Sequence, residues 1–216
     1  METHNTSLII GSTGLIGNKL LYELAKKDTE IIAITRRPIN NLPENVSLLN
    51  IDFDDFLQNG VLPSCNHIYI CLGTTIKKAG SQSEFKKVDF DYCVSFARKA
   101  REAGATKISL VSSVGANPHT KNFYLKTKGE VEEEIKKIDF QVINIFRPSL
   151  LLGRREESRF LEKIGQNLSS FINLFLIGYF RKYRSIKSSN VAYCMANCEQ
   201  SDGVRYFYFD DFNNNY

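Results

Sequence analysis

Ser7-Leu8-Ile9-Ile10-Gly11-Ser12-Thr13-Gly14-Leu15-Ile16-Gly17 is the stretch whose reading decides the fold. Its first four residues form a short, nearly continuous apolar run of the kind that makes a buried strand. The residues from Leu15 to Lys27 then carry apolar side chains at helical spacing. Between strand and helix lie three glycines. Gly11 permits a tight turn, Gly14 lets a backbone approach a pyrophosphate, and Gly17 lets helix and strand pack closely. The first turn of the helix offers unpaired N–H groups and the positive end of its dipole to phosphate oxygens. Ser12, Thr13, Leu15 and Ile16 complete a loop that reads as a dinucleotide cradle, and its place between a strand and an amphipathic helix is the confirming context.

Outward from this loop, apolar runs alternate with helical patterns along the chain. Strands are predicted at Ser7–Ile10, Ile31–Thr35, Ser47–Ile51, Ile68–Cys71, Ile108–Ser112, Val142–Phe146 and Tyr206–Phe209. Helices are predicted at Leu15–Lys27, Glu84–Ala103 and Lys126–Lys137, with a further helix before the last strand. This alternation implies an α/β fold, a doubly wound parallel sheet of Rossmann type. At 216 residues the chain suits a single domain, with residues 151–190 forming a small helical cap on the substrate side. The acidic run Glu132-Glu133-Glu134 reads as a solvated helix face.

The end of the second strand bears on cofactor choice. NAD-binding folds place a carboxylate there, about 20 residues past the glycines, to accept hydrogen bonds from the ribose. This chain has Thr35-Arg36-Arg37 instead. Guanidinium groups cannot accept those bonds but can clasp the additional phosphate of NADP(H), which places NADP(H) ahead of NAD(H).

Beyond the fifth strand lie Ser112-Ser113-Val114-Gly115, followed by Tyr124-Leu125-Lys126-Thr127-Lys128. Tyr124 and Lys128 are one helical turn apart and share a face. An ammonium beside a phenol favours phenolate, and a strand-end serine can hydrogen-bond the same substrate oxygen. Together they supply a proton donor and an oxyanion stabiliser suited to carbonyl reduction.

With these residues in place, the chain resembles the short-chain dehydrogenase/reductases, and specifically their atypical branch related to the HIV Tat-interacting protein oxidoreductases. The resemblance runs from Leu8 to Ala196. It rests on the glycine loop, Cys71-Leu72-Gly73-Thr74-Thr75, Val88-Asp89, Ser112-Ser113-Val114-Gly115, Tyr124 with Lys128-Gly129-Glu130, Arg147-Pro148, and Leu151-Leu152-Gly153-Arg154. It implies Ser112, Tyr124 and Lys128 as the catalytic set, with Ser113 as the alternative serine and Lys128 also holding the nicotinamide ribose. It implies Asp52 and Phe53 near the adenine and Leu72, Gly73 and Thr74 along the cofactor. Arg147, Pro148 and Ser149 are implied at the nicotinamide end.

Composition narrows the rest. Apolar residues are 43% and charged residues 24% of the chain, an ordinary globular balance, and a net charge of +4 does not suggest a nucleic-acid partner. The three histidines show no metal-ligand spacing, so no metal is expected. The five cysteines, lacking a Cys-x-x-Cys pair, read as reduced thiols. With the first strand beginning almost at once, a cytoplasmic location is expected. The apolar segment from Phe171 to Phe180 is too short to span a bilayer. The cap side chains from Phe160 to Phe180, followed by Arg181-Lys182-Tyr183-Arg184, read first as core or pocket lining; a subunit contact and a peripheral membrane contact remain alternatives. The expectation is a monomer or homodimer that reduces a small apolar, carbonyl or quinone-like substrate. A non-catalytic NADPH sensor is the rival reading.

Overall fold

The computed structural model describes residues 5–27, 30–152, 176–199 and 201–213. Seven parallel strands make one sheet in the order β3-β2-β1-β4-β5-β6-β9. They are β1 (Thr6–Ile10), β2 (Glu30–Thr35), β3 (Val46–Asn50), β4 (His67–Ile70), β5 (Lys107–Val111), β6 (Val142–Phe146) and β9 (Gly203–Phe207). A two-residue ladder, β7 (Leu151–Leu152) with β8 (Ile186–Lys187), stands apart. Strand order reverses at β1, where β2 and β3 run to one side and β4, β5, β6 and β9 to the other. A crevice outside the carboxyl ends of the strands forms at such a switch point.

Helices cover both faces. On one, α2 (Phe53–Asn59), α5 (Cys93–Glu102) and α6 (Phe123–Lys136) seal a core in which Phe53, Phe56 and Phe96 pack ring on ring. On the other, α1 (Gly17–Leu24) and α7 (Ser188–Asn197) pack over Ile9, Ala33, Phe146 and Phe207, with Cys194 buried among them. Two short helices, α3 (Ile76–Ala79) and α4 (Gln82–Lys86), follow β4. Burial on both faces explains why the strands read as apolar runs without alternation. Among the described residues no helix is long and apolar enough to cross a membrane.

All seven predicted strands form, with small shifts at their ends. The last starts three residues earlier than expected, because Gly203, Val204 and Arg205 are exposed on an edge strand and so lack an apolar signature. The helix predicted over Glu84–Ala103 is interrupted: α4 passes into a π-helical turn, Lys87–Tyr92, before α5. That wider turn directs Asp89 and Tyr92 inward, and both are buried. The solvated face expected for Glu132-Glu133-Glu134 needs correction. Glu132 is buried, because its position on α6 faces the sheet and it finds cationic and hydroxyl partners there. Of the expected cap, residues 153–175 lie outside the described residues.

Candidate functional site

The glycine loop leaves β1 through Gly11, whose φ of +82° is a left-handed value that a side chain would strain. A Cβ there would also lie 2.5 Å from the Cys71 carbonyl oxygen at the end of β4. At Gly17 a Cβ would come within 2.2 Å of the Gly11 carbonyl oxygen, so helix and loop touch backbone to backbone. The turn closes through Gly14 N–H donating to Gly11 O at 2.9 Å. No side chain caps α1 and no acidic residue sits in its first turn, which leaves its amino end open to an anion. The Ser12 hydroxyl is buried without a hydrogen-bond partner among the described residues. A cradle closed to any Cβ, an uncapped helix end and an orphaned hydroxyl all fit a bound pyrophosphate.

At the end of β2, Thr35 Oγ1 donates to Arg37 O at 2.7 Å, and the chain turns there with both arginines exposed. The Arg36 guanidinium lies 5.5 Å from the centre of the Phe53 ring. Asp52 caps α2, its Oδ1 accepting from Asp54 N–H at 2.8 Å and Asp55 N–H at 3.0 Å. That carboxylate therefore serves its own helix. Beside it, Asp54 accepts from Lys87 at 2.7 Å and from the Tyr92 hydroxyl at 2.6 Å. These two bonds, the lysine's first, hold Asp54 below the usual carboxylate range. Arg36 adds to the same lowering, so an acid on which it acts is already engaged.

Across the switch point, Leu72, Gly73 and Thr74 form the turn after β4. Lys128 reaches this turn from α6. A Cβ on Gly73 would stand 3.8 Å from Lys128 Nζ and 3.6 Å from Asp89 Oδ1. The ammonium pairs with Asp89 Oδ1 at 2.8 Å, the two side chains being 6% and 0% exposed. Asp89 Oδ2 accepts the Thr74 N–H at 2.8 Å. Burial is the largest single influence and would lower the lysine pKa, but the Asp89 carboxylate, Tyr124 and Cys93 together outweigh it, so Lys128 is held charged. Tyr124, one turn earlier on the same face, is half-buried with its ring 5.8 Å from that of Phe85.

The serines separate. Ser112, at the end of β5, is buried and its hydroxyl donates to Glu132 Oε1. Ser113 is half-buried, and among the described residues its hydroxyl makes only a 3.4 Å contact with the Val114 carbonyl. Arg147 follows β6 and donates through Nε to Glu132 Oε1 at 3.0 Å and through Nη1 to the Tyr208 hydroxyl at 3.0 Å. Its Nη2 pairs with Glu132 Oε2. Pro148 is buried, and its carbonyl accepts the Val114 N–H at 2.9 Å.

The fold thus gathers the glycine loop, Leu72 to Thr74, Ser112, Ser113, Tyr124, Lys128, Arg147 and Pro148 along one edge of the sheet. The sequence reading assigned no role to Asp89 or Glu132. Glu132 stands one turn after Lys128, as Lys128 stands one turn after Tyr124, and that shared-face spacing was the available signal.

The model of the NAD dependent epimerase/dehydratase family matches residues 7–175. The chain belongs to this family. Among curated relatives of this family member, the mitochondrial protein FMP52 of Candida albicans is 34% identical over 174 residues, covering 77% of this chain and 76% of the relative. Protein HTATIP2 of Rattus norvegicus is 34% identical over 157 residues, covering 70% of this chain and 64% of its own. The epimerase/dehydratase chain is thereby an atypical short-chain dehydrogenase/reductase of the type its motifs resemble. Human epimerase family protein SDR39U1, solved with NADPH, shares the fold at a TM-score of 0.63 and 18% identity over 94% of this chain and 74% of that one. MoeE5, solved with UDP-glucose and NAD, does so at 0.67 and 14%, over 94% and 75%.

The expected cytoplasmic location is overturned by these comparisons. The FMP52 relatives from Candida albicans, Debaryomyces hansenii and Saccharomyces cerevisiae are all named mitochondrial. A strand close to the first residue is no ground for a cytoplasmic placement.

Proposed function

We propose that the chain is an NADPH-dependent reductase acting on a small carbonyl or quinone-like substrate. The observation that carries this reading is Lys128, a buried ammonium fixed by Asp89 at the Gly73 turn, one helical turn from Tyr124. The nicotinamide, when bound, supplies the hydride. Lys128 would hold the ribose hydroxyls with the donors that Asp89 leaves over, and its charge would stabilise the phenolate that remains once Tyr124 gives up its proton. Tyr124 would donate that proton to the substrate oxygen.

Ser113 is the better candidate to hydrogen-bond the same oxygen, because the Ser112 hydroxyl already serves Glu132. Ser113→Ala is expected to lower kcat/KM for reduction of a small quinone by about 10²-fold, the loss of one oxyanion donor. NADPH affinity should stay unchanged. Equal activity in Ser113→Ala and the wild type would remove Ser113 from the reaction.

Arg36 and Arg37 would receive the 2′-phosphate, with Phe53 as a floor on the adenine side. Titration with NADPH and with NADH, followed by nicotinamide fluorescence, tests this. The double variant Arg36→Ala, Arg37→Ala is expected to bind NADPH about 10- to 100-fold more weakly, the loss of one or two charge-assisted contacts, with NADH affinity unmoved. A parallel loss for both nucleotides would refute the phosphate assignment.

A further inference from the structure

We propose that Glu132 is a positioning residue that holds the nicotinamide half of the site in shape through Arg147 and Ser112. The inference rests on the dinucleotide reading above. Glu132 has a 2% exposed side chain and spends both oxygens on the end of the sheet. Oε1 accepts from Ser112 Oγ and Arg147 Nε, and Oε2 accepts from Arg147 Nη2. The pairing is a two-pronged fork that admits one orientation. The third face of the guanidinium is held by Tyr208, and the Tyr206 ring lies 4.5 Å from it. Every nitrogen of Arg147 is therefore engaged within the protein, and the group is braced where it lies.

Stability gives a weak reason for such an arrangement. Two charges removed from water gain little over apolar side chains of the same volume. What the fork supplies is geometry. It ties α6 to two segments that the sheet already sets side by side, the residues after β5 and the residues after β6. Two backbone bonds straddle Ser113 at the same seam, Ser112 N–H to Phe146 O at 2.7 Å and Val114 N–H to Pro148 O at 2.9 Å. Glu132 pulls on both sides of that seam from the helix that also carries Tyr124 and Lys128. The adenosine half, built from the glycine loop and the end of β2, lies across the switch point and shares none of these contacts.

The test separates the two halves of the nucleotide. Wild type, Glu132→Gln and the double variant Glu132→Leu, Arg147→Met are titrated with NADPH and with 2′,5′-ADP, which lacks the nicotinamide. NADH and ADP serve as the matched pair if the wild type prefers NADH. The double variant replaces the ion pair by apolar groups, so it leaves no unpaired buried charge. It is expected to bind NADPH about tenfold more weakly, the worth of one ordinary hydrogen bond, and 2′,5′-ADP within about twofold of wild type. Glu132→Gln, which keeps an acceptor for Ser112, should fall between, and it decides the matter if the double variant does not fold. Unchanged NADPH affinity, or a parallel loss for both probes, overturns the proposal and leaves the dinucleotide reading standing. Wild type that binds neither probe overturns both.

Discussion

Tyr124→Phe is expected to abolish reduction of a small quinone while NADPH binds as tightly as before. The substitution removes one oxygen from a half-buried ring packed near Phe85 and leaves the Lys128–Asp89 pair intact. Removing a positioned proton donor costs on the order of 10²- to 10⁴-fold in rate. The measurement is kcat at saturating NADPH, beside a fluorescence titration of the same preparation, in which affinity should stay within about twofold. Full turnover in Tyr124→Phe would exclude the phenol as the acid. NADPH binding by wild type with no turnover across a panel of carbonyls and quinones would favour the sensor reading, in which the nucleotide is a regulatory ligand.

The largest effect on stability is expected at Asp89. Asp89→Ala leaves the Lys128 ammonium buried beside the Gly73 turn with its counter-charge gone, and it strips the Thr74 N–H of its acceptor. Breaking a buried pair from one side costs about 3–5 kcal/mol, most of it the uncompensated charge. Urea denaturation followed by circular dichroism reads this directly. Asp89→Asn, which can still accept from Thr74, should lose less. A double variant Asp89→Leu, Lys128→Met should recover most of the stability and none of the nucleotide affinity. Wild-type stability in Asp89→Ala would show that the two charges are not coupled.

The cradle and the strands were legible in the sequence because their physics is local. A glycine that must bring two backbones together, or an apolar run covered on both faces, leaves its mark within a few residues. The place of Thr35-Arg36-Arg37 at the end of β2 was legible for the same reason. Asp89 and Glu132 were not, because their partners lie far along the chain: Lys128 and Thr74 for one, Ser112 and Arg147 for the other. An acidic run with a buried member looks identical to a solvated one until the helix is placed against its sheet. The difference between the two serines was hidden in the same way. Ser112 and Ser113 are adjacent and chemically equal, and their different burial and the reach of Glu132 from α6 are what tell them apart. The π turn has no signature of its own, since Lys87–Tyr92 continues the helical spacing on either side.

The place of β9 in the sheet bears on how the molecule comes into being. Phe207 stacks on Phe146 at 4.5 Å, its carbonyl accepts the Arg147 N–H at 2.8 Å, and the Tyr208 hydroxyl holds the far side of the same guanidinium. As the chain leaves the ribosome, the residues around Gly11 and Arg36 emerge early and those around Lys128 midway. The brace on Arg147 must wait for Tyr208. A nascent chain can thus fold the glycine loop while the support of Arg147 is still unfinished, and that support is complete only with the last strand.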